Sequence, residues 1–318
     1  MKNRSLVLLS GEGTTIPAAE ARALFLAYDQ DSRFTSPSPR LLVAESEADP
    51  VVVGSRIAFA RRVGRLLNDK SEIKGAVRGR RISFRPFDLV PGLDPAEPED
   101  YLSGVEAEVD LESPELELTV VRGKDEHLAV SSPGTMKQGW SLRRPRKRAF
   151  FHPSAIFPKL SRALVNLSRC REGELVLDPF AGTGSIPIEA SLVGARVIAA
   201  DQTREMVRGA ISNMARFNQE WMGVVRADAT VSPFTGVDAI VTDVPYGRAS
   251  STRGRETGEL IEAVLPVFSA LLRPSGFLVL MHPREVGVAS SGELEVIEEH
   301  NLHVHKRLTR TITVLRRR

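Results

Sequence analysis

In the second half of the chain, short apolar runs end on carboxylates and alternate with stretches whose apolar positions recur at helical spacing. The runs predict strands at 175–177, 195–200, 223–227, 237–243 and 277–281. Helices are expected between them at 186–193, 204–217 and 258–272, and before them at 158–167. Strands that alternate with helices in this way form a mostly parallel sheet covered on both faces. Residues 301–315 read as a hairpin of two further strands that closes the sheet with an antiparallel member. The expected fold class is α/β, with a mostly parallel seven-stranded sheet.

The first half is patterned differently. Residues 6–9 and 41–43 read as strands, and 16–28 as a helix with Ala18, Ala21, Leu24 and Tyr28 on one face and Pro17 near its start. From 49 to 130, short apolar runs alternate with polar turns, which reads as an α+β region. A strand is expected at 51–53, a strand running into a helix over 57–67, and a strand at 81–87 with Pro86 near its end. Residues 109–121 begin with a strand end, turn at Glu112-Ser113-Pro114 and return through Leu116, Leu118 and Val120. Residues 131–148 have loop composition and then a basic run, Arg143-Arg144-Pro145-Arg146-Lys147-Arg148, expected to connect two domains.

The strand ends carry the candidate chemistry. Leu175-Val-Leu-Asp178 is followed by Pro179-Phe180-Ala181-Gly182-Thr183-Gly184 and then a helix. Small residues in such a turn let backbone N–H groups approach a ligand, and ligands of open parallel sheets sit beyond the strands' carboxyl ends. The turn is not a P-loop, because Ser185-Ile186 stands where Lys-Ser/Thr is required. It is also a poor dinucleotide fingerprint, since Pro187 occupies the third glycine position. Asp178 can accept from a cationic amine, and Asp201, ending the second strand, can accept from ribose hydroxyls. The fourth strand runs directly into Asp243-Val244-Pro245-Tyr246.

Four stretches resemble known families. Asp178 to Gly184 resembles the S-adenosylmethionine pocket of Rossmann-like class I methyltransferases acting on exocyclic amines. Asp243-Val-Pro-Tyr246 is similar to their D/N-P-P-Y/F motif, and Val109-Asp-Leu-Glu-Ser-Pro-Glu115 to the V-D-L-x-N-P-D turn of the THUMP domain, an RNA-binding module. Phe150-Phe-His-Pro153, followed by a helix, resembles the lead-in of archaeal tRNA guanosine N2-methyltransferases that modify position 10, and the order of all these motifs resembles that family from about residue 109 onward.

The resemblance implies a tRNA substrate and S-adenosylmethionine as donor, bound by Asp178, Phe180, Gly182, Thr183, Gly184, Asp201, Asp228 and Ala229, with His152 bordering the pocket. Asp243, Pro245 and Tyr246 would be catalytic. A guanine amine is a poor nucleophile because its lone pair is delocalised into the ring. Asp243 and a backbone carbonyl, that of Val244 by resemblance, would accept both amine hydrogens and aim the lone pair at the methyl group. A hydrogen bond to a charged acceptor contributes roughly 1.5–3 kcal/mol. Asp243 would then take the proton, and Tyr246 would stack on a flipped base. Val244 departs from the family, which has proline there, and the loop loses rigidity.

The domain organisation expected is a small α/β region at 1–48, a THUMP-like RNA-binding domain at 49–140, a basic linker at 141–150 and the methyltransferase domain at 151–318. Family relatives can use a small activating protein subunit, a partner implied here by the resemblance alone. An N6-adenine or ribosomal-guanine methyltransferase, and an RNA-binding relative without catalysis, are the alternatives. A nicotinamide-dependent oxidoreductase leaves Asp178 and Asp243 unexplained.

Bulk properties sharpen this reading. The formal charge is only +3, but basic residues cluster at 61–62, 78–81, 143–148 and 316–318, as suits a polyanion. Phosphate contacts from Arg143, Arg144, Arg146, Lys147 and Arg148 would supply affinity rather than sequence reading. One cysteine, Cys170, excludes an internal disulfide and a cysteine-based zinc cluster, and fits a reducing cytoplasm. His303 and His305 share a strand face, yet no third metal ligand is apparent, so no metal is expected. No apolar run is long enough to cross a bilayer, and the short apolar stretch at the start is no signal peptide.

Overall fold

The computed structural model describes residues 2–12, 14–136, 138–217, 221–245, 257–305 and 308–318. Two compact units emerge, one of residues 1–12 and 24–138, the other of 13–23 and 139–318.

The first unit is built on β1 (Asn3–Leu9), the C-terminal turns of α1 (Ile16–Tyr28), β2 (Arg33–Ser38), β3 (Leu41–Ser46), α2 (Pro50–Arg56), β4 (Ala60–Leu67), α3 (Ser71–Val77), β5 (Arg81–Asp88), α4 (Glu99–Leu102), β6 (Glu108–Val109), β7 (Leu116–Arg122) and β8 (Glu126–Ser131). All eight strands form one sheet in the order β2-β3-β1-β4-β8-β7-β5-β6. Strand β1 pairs with β3 on one side and β4 on the other, so Leu6 lies between Val43 and Gly64. The segment 1–48 therefore has no sheet of its own, contrary to the expected boundary. A side chain at Gly64 would meet the Val130 carbonyl at 2.7 Å, which is why the β4–β8 crossing needs glycine.

Three local expectations are corrected. Val51 to Val53 is helical: the Asp49 side chain accepts from the Val51 N–H at 2.8 Å and Pro50 fills the first turn, and these start signals outweigh the β-branched residues. Residues 60–67 are strand throughout, and the helix begins only at Ser71. The stretch 109–121 is not a hairpin, since β6 and β7 both pair parallel with β5 from its two sides. The crossing turn is held by Asp110, whose Oδ1 accepts from the N–H groups of Glu112 and Ser113 at 2.8 and 3.0 Å. Beneath the sheet, Ile73 and Val77 of α3 and Tyr101 of α4 pack on Ile82, Phe84, Leu118 and Val120.

The second unit contains α5 (Pro158–Leu167), β9 (Leu175–Asp178), α6 (Ser185–Leu192), β10 (Arg196–Asp201), α7 (Arg204–Arg216), β11 (Gly223–Arg226), β12 (Val237–Asp243), α8 (Thr257–Leu271), β13 (Leu272–Pro283), β14 (Leu294–His305) and β15 (Leu308–Arg317). Its seven-stranded sheet has the order β11-β10-β9-β12-β13-β15-β14. Neighbours pair in parallel from β11 through β13, and β15 then enters antiparallel between β13 and β14. This is the expected doubly wound arrangement with a closing hairpin. Leu177, Ile240, Leu278 and Leu280 of the strands pack with Ile261, Val264 and Phe268 of α8. Fully burying a side chain such as Phe268 contributes about 1.5–3 kcal/mol. Among the described residues no helix is long and apolar enough to cross a membrane.

Candidate active site

Parallel strands that are neighbours in a sheet end together, so residues far apart in sequence meet beyond their carboxyl ends. Here β9 ends on Asp178, β10 on Asp201 and β12 on Asp243, while Asp228 follows β11 by two residues. The register aligns Asp178 with Ala199 on β10, and Asp243 with Met281 on β13.

Asp178 is 2% exposed. Its Oδ1 accepts from the Thr242 hydroxyl at 2.7 Å and the Phe180 N–H at 3.2 Å. Burial, against those two bonds, pushes its pKa up to about 8, and the charges of Asp243 and Asp201 add to the rise. The turn after it is left-handed at Gly182 (φ 52°) and Gly184 (φ 85°), conformations that favour glycine. A Cβ built on Gly182 would meet nothing within 4 Å, so the turn borders open space. Asp201 ties that turn to β10: Oδ2 accepts from the Gly182 N–H at 3.0 Å and Oδ1 from the Thr203 N–H at 2.8 Å. The Thr203 side chain also donates to this carboxylate, and the remaining acceptor capacity can take a hydroxyl donor. Burial raises its pKa against those bonds.

At the strand ends, the buried polar atoms without a hydrogen-bond partner among the described residues include Thr183 Oγ1, in the glycine turn, and Asp243 Oδ1. An unbonded buried acceptor is costly unless something completes it, so both atoms fit a polar ligand. Asp243 Oδ2, by contrast, accepts from Arg310 Nη1 at 3.0 Å. Burial raises the Asp243 pKa to about 6, with the Arg310 charge and hydrogen bond opposing. Next in the chain, Val244 is fully buried, and its N–H donates to the Met281 carbonyl at 2.9 Å. A proline could not make that bond. The valine thus extends the β12–β13 pairing one residue past Asp243. Pro245 is half-buried, and Tyr246 lies outside the described residues.

Other residues singled out from the sequence fall less centrally. Exposed Asp228 accepts from the Thr230 N–H and hydroxyl at 2.9 and 2.7 Å, capping a short turn that buries Ala229. Phe180 packs edge-on against Phe268, with ring centroids 6.4 Å apart. His152 holds its own turn, with Nδ1 2.7 Å from the Ser154 hydroxyl.

The basic run requires a correction. Arg143 and Arg148 are buried, while Arg144, Arg146 and Lys147 are exposed. Arg143 and Arg162 both bond Glu189 of α6, and the Trp140 ring lies against both guanidinium groups. Arg148 donates to the Ser185 hydroxyl at 2.6 Å and to the carbonyls of Arg143 and Ile156, each at 3.1 Å. Its burial lowers its pKa to about 10. The segment is thereby fastened to the helix that begins at the glycine turn, and is not a free linker.

Sequence reasoning missed Asn213 and Arg310. Asn213, fully buried on α7, accepts from the Phe150 N–H at 2.8 Å and donates to the carbonyls of Phe150 and Thr183, each at 2.9 Å. The Phe150 ring lies where a Cβ on Gly209 would come within 2.5 Å. The available signal was a helical asparagine one turn after a helical glycine.

Comparison with known proteins places the chain beside several relatives. The family described as RMKL-like, methyltransferase domain, matches residues 145–311. A tRNA (guanine(10)-N2)-dimethyltransferase of Methanothermobacter thermautotrophicus is 31% identical over 332 aligned positions, covering 98% of this chain and 99% of that protein. A protein of the same name from Methanocaldococcus jannaschii is 37% identical over 183 positions, covering 55% of this chain and 50% of its own. In solved structures, TrmN from Thermus thermophilus superposes with a TM-score of 0.53 at 21% identity, covering 99% of this chain and all of that one, a likeness of fold.

Proposed function

The chain belongs to the tRNA (guanine(10)-N2)-dimethyltransferase family, with a class I methyltransferase fold in its second unit, and we propose that it methylates the exocyclic N2 amine of guanosine 10 in tRNA. The observation that carries this reading is the Asp243 carboxylate at the end of β12, with one oxygen held by Arg310 and the other without a partner among the described residues.

S-adenosylmethionine supplies an electrophilic methyl group on a sulfonium centre. The residues that would hold it are Asp178 for its cationic amine, the turn of Phe180, Gly182, Thr183 and Gly184, Asp201 for ribose hydroxyls, and Asp228 with Ala229 for adenine. Asp243 Oδ1 accepts one hydrogen of the guanine amine, the Val244 carbonyl accepts the other, and Pro245 and Tyr246 complete the base site. Holding both hydrogens pulls the nitrogen lone pair out of conjugation and orients it for in-line attack. The amine proton passes to Asp243 Oδ1. With a pKa near 6, that carboxyl is ionised at neutral pH and basic enough to take the proton. After one methylation a single N–H remains, and Asp243 can serve it in the same way, so a second methyl group follows by the same chemistry.

The tRNA would meet the exposed cations Arg144, Arg146 and Lys147, and the first unit serves as its THUMP-like RNA-binding partner. A cytoplasmic setting suits a tRNA substrate and a single cysteine, Cys170, that is buried and in no disulfide. The test is methyl transfer from labelled S-adenosylmethionine to unmodified tRNA, with digestion and identification of the nucleoside. N2-methylated guanosine is expected at position 10. Methyladenosine, or label only in ribosomal RNA, would overturn the assignment.

A further inference from the structure

We propose that Arg310 is a positioning residue for this reaction: reaching from β15, it holds Oδ2 of Asp243 and so fixes Oδ1 as the oxygen offered to the substrate amine. The inference rests on the role assigned to Asp243 above.

The route is set by strand order. Asp243 ends β12 beside Met281 of β13, and Arg310 stands on β15 opposite Pro283, two residues further along β13. Its Nη1 lies 3.0 Å from Asp243 Oδ2 and 3.6 Å from the Met281 sulfur, so the guanidinium spans β13 to reach the carboxylate. Arg310 is only 8% exposed, and the Asp243 side chain 16%. A charge-assisted bond with little water around it resists rotation of the carboxylate about its terminal torsion. An untethered carboxylate would present either oxygen in a range of orientations, and in-line transfer tolerates little such freedom.

The second effect is electrostatic. The Asp243 charge raises the proton affinity of Asp178, the buried carboxyl that ends β9, and at Asp243 itself Arg310 is the cation that opposes the effect of burial. Burial favours the neutral acid at Asp243, and Arg310 favours the ionised form. Without the guanidinium the carboxyl would hold its proton to higher pH, where it is a weaker acceptor for the amine hydrogen and cannot take the proton. Geometry and charge thus both run through a residue that would not touch the substrate.

The experiment compares wild type with Arg310→Met and Arg310→Lys by the pH dependence of single-turnover methyl transfer, by cofactor affinity, and by titration of the Asp243 carboxyl with aspartate-selective carbon-13 labelling, assigned by loss of its signal in Asp243→Asn. In Arg310→Met the rate near pH 6.5 should fall by roughly 100-fold. Its acid limb should move to higher pH with the carboxyl titration, and cofactor affinity should stay within about threefold of wild type, a factor below one tenfold step. Arg310→Lys should return the limb most of the way. A slower Arg310→Met enzyme with an unmoved acid limb and an unmoved carboxyl titration would overturn the proposal, reducing Arg310 to a packing role. Wild-type protein inactive on tRNA would overturn the functional reading instead, and the carboxyl titration would still decide whether Arg310 controls Asp243.

Discussion

Arg143 donates from Nε to Oε1 of Glu189 at 2.6 Å, an inward bond made by a residue whose sequence neighbour Arg144 faces solvent. Glu189 is 1% exposed and also holds Arg162 Nη2 at 2.8 Å, so one carboxylate is shared by two buried cations. Removing one member of such a group leaves charge buried without its partner, which costs about 3–5 kcal/mol. Glu189→Ala should lower unfolding stability by that order in urea titration. A loss under about 1 kcal/mol, the range of surface ion pairs, would show the cluster to be solvated.

The outward members of the same run should behave differently. Replacing Arg144, Arg146 and Lys147 with Ala should leave stability within about 0.5 kcal/mol of wild type, as exposed substitutions do. Binding to tRNA should weaken, and the slope of log affinity against log salt should flatten by about one for each phosphate that is no longer neutralised. An unaltered slope would place the RNA-binding cations elsewhere on the protein.

Asn213 links the Phe150 backbone to the carbonyl of Thr183 in the glycine turn. Asn213→Ala leaves buried backbone groups unsatisfied, at about 1–3 kcal/mol. Because one of those groups belongs to the turn, the dissociation constant for S-adenosylmethionine should rise about tenfold, equivalent to ~1.4 kcal/mol. Calorimetry showing wild-type affinity in a destabilised protein would confine Asn213 to holding Phe150.

Much of this was legible because the second unit obeys local rules. Buried parallel strands appear as uninterrupted apolar runs, and Asp178, Asp201 and Asp243 mark their ends without any long-range information. The first unit was less readable. Val51 to Val53 looks like a strand by composition, and only the capping of Asp49 and Pro50 makes it helical. The crossing of β6 and β7 around β5 depends on pairing between segments that no periodicity reports. Arg143 and Arg144 are the same residue type, and which of them is buried is decided by Glu189, 46 positions away from Arg143. Arg310 meets Asp243 across 67 positions, through an antiparallel strand inserted beyond the parallel ones.

Asp178 should make stability and cofactor affinity depend on pH. Its folded pKa, about 8, lies above its ordinary value of 3.8. Between those values the folded protein keeps a proton that the unfolded chain has lost. The resulting stabilisation is full below about pH 4 and fades as pH rises through 8, by at most ~1.4 kcal/mol per pH unit. Asp178→Asn removes that titration, so its stability relative to wild type should improve steadily from pH 5 to pH 8. A cationic amine favours the ionised form, so wild-type cofactor affinity should increase over the same range and the variant's should not. Parallel pH profiles for both proteins would contradict the placement of a buried acid at Asp178.

The central claim is that Asp243 acts on the substrate amine and not on the cofactor. Asp243→Asn preserves the shape of the side chain but removes the charge and the base. The most direct measurement is the single-turnover rate of methyl transfer to tRNA in this variant, beside its equilibrium affinity for S-adenosylmethionine. The account predicts a rate lower by about 10²–10⁴-fold, the usual contribution of a positioned base, with cofactor affinity within about threefold of wild type. Comparable losses in rate and affinity, or turnover at the wild-type rate, would contradict it.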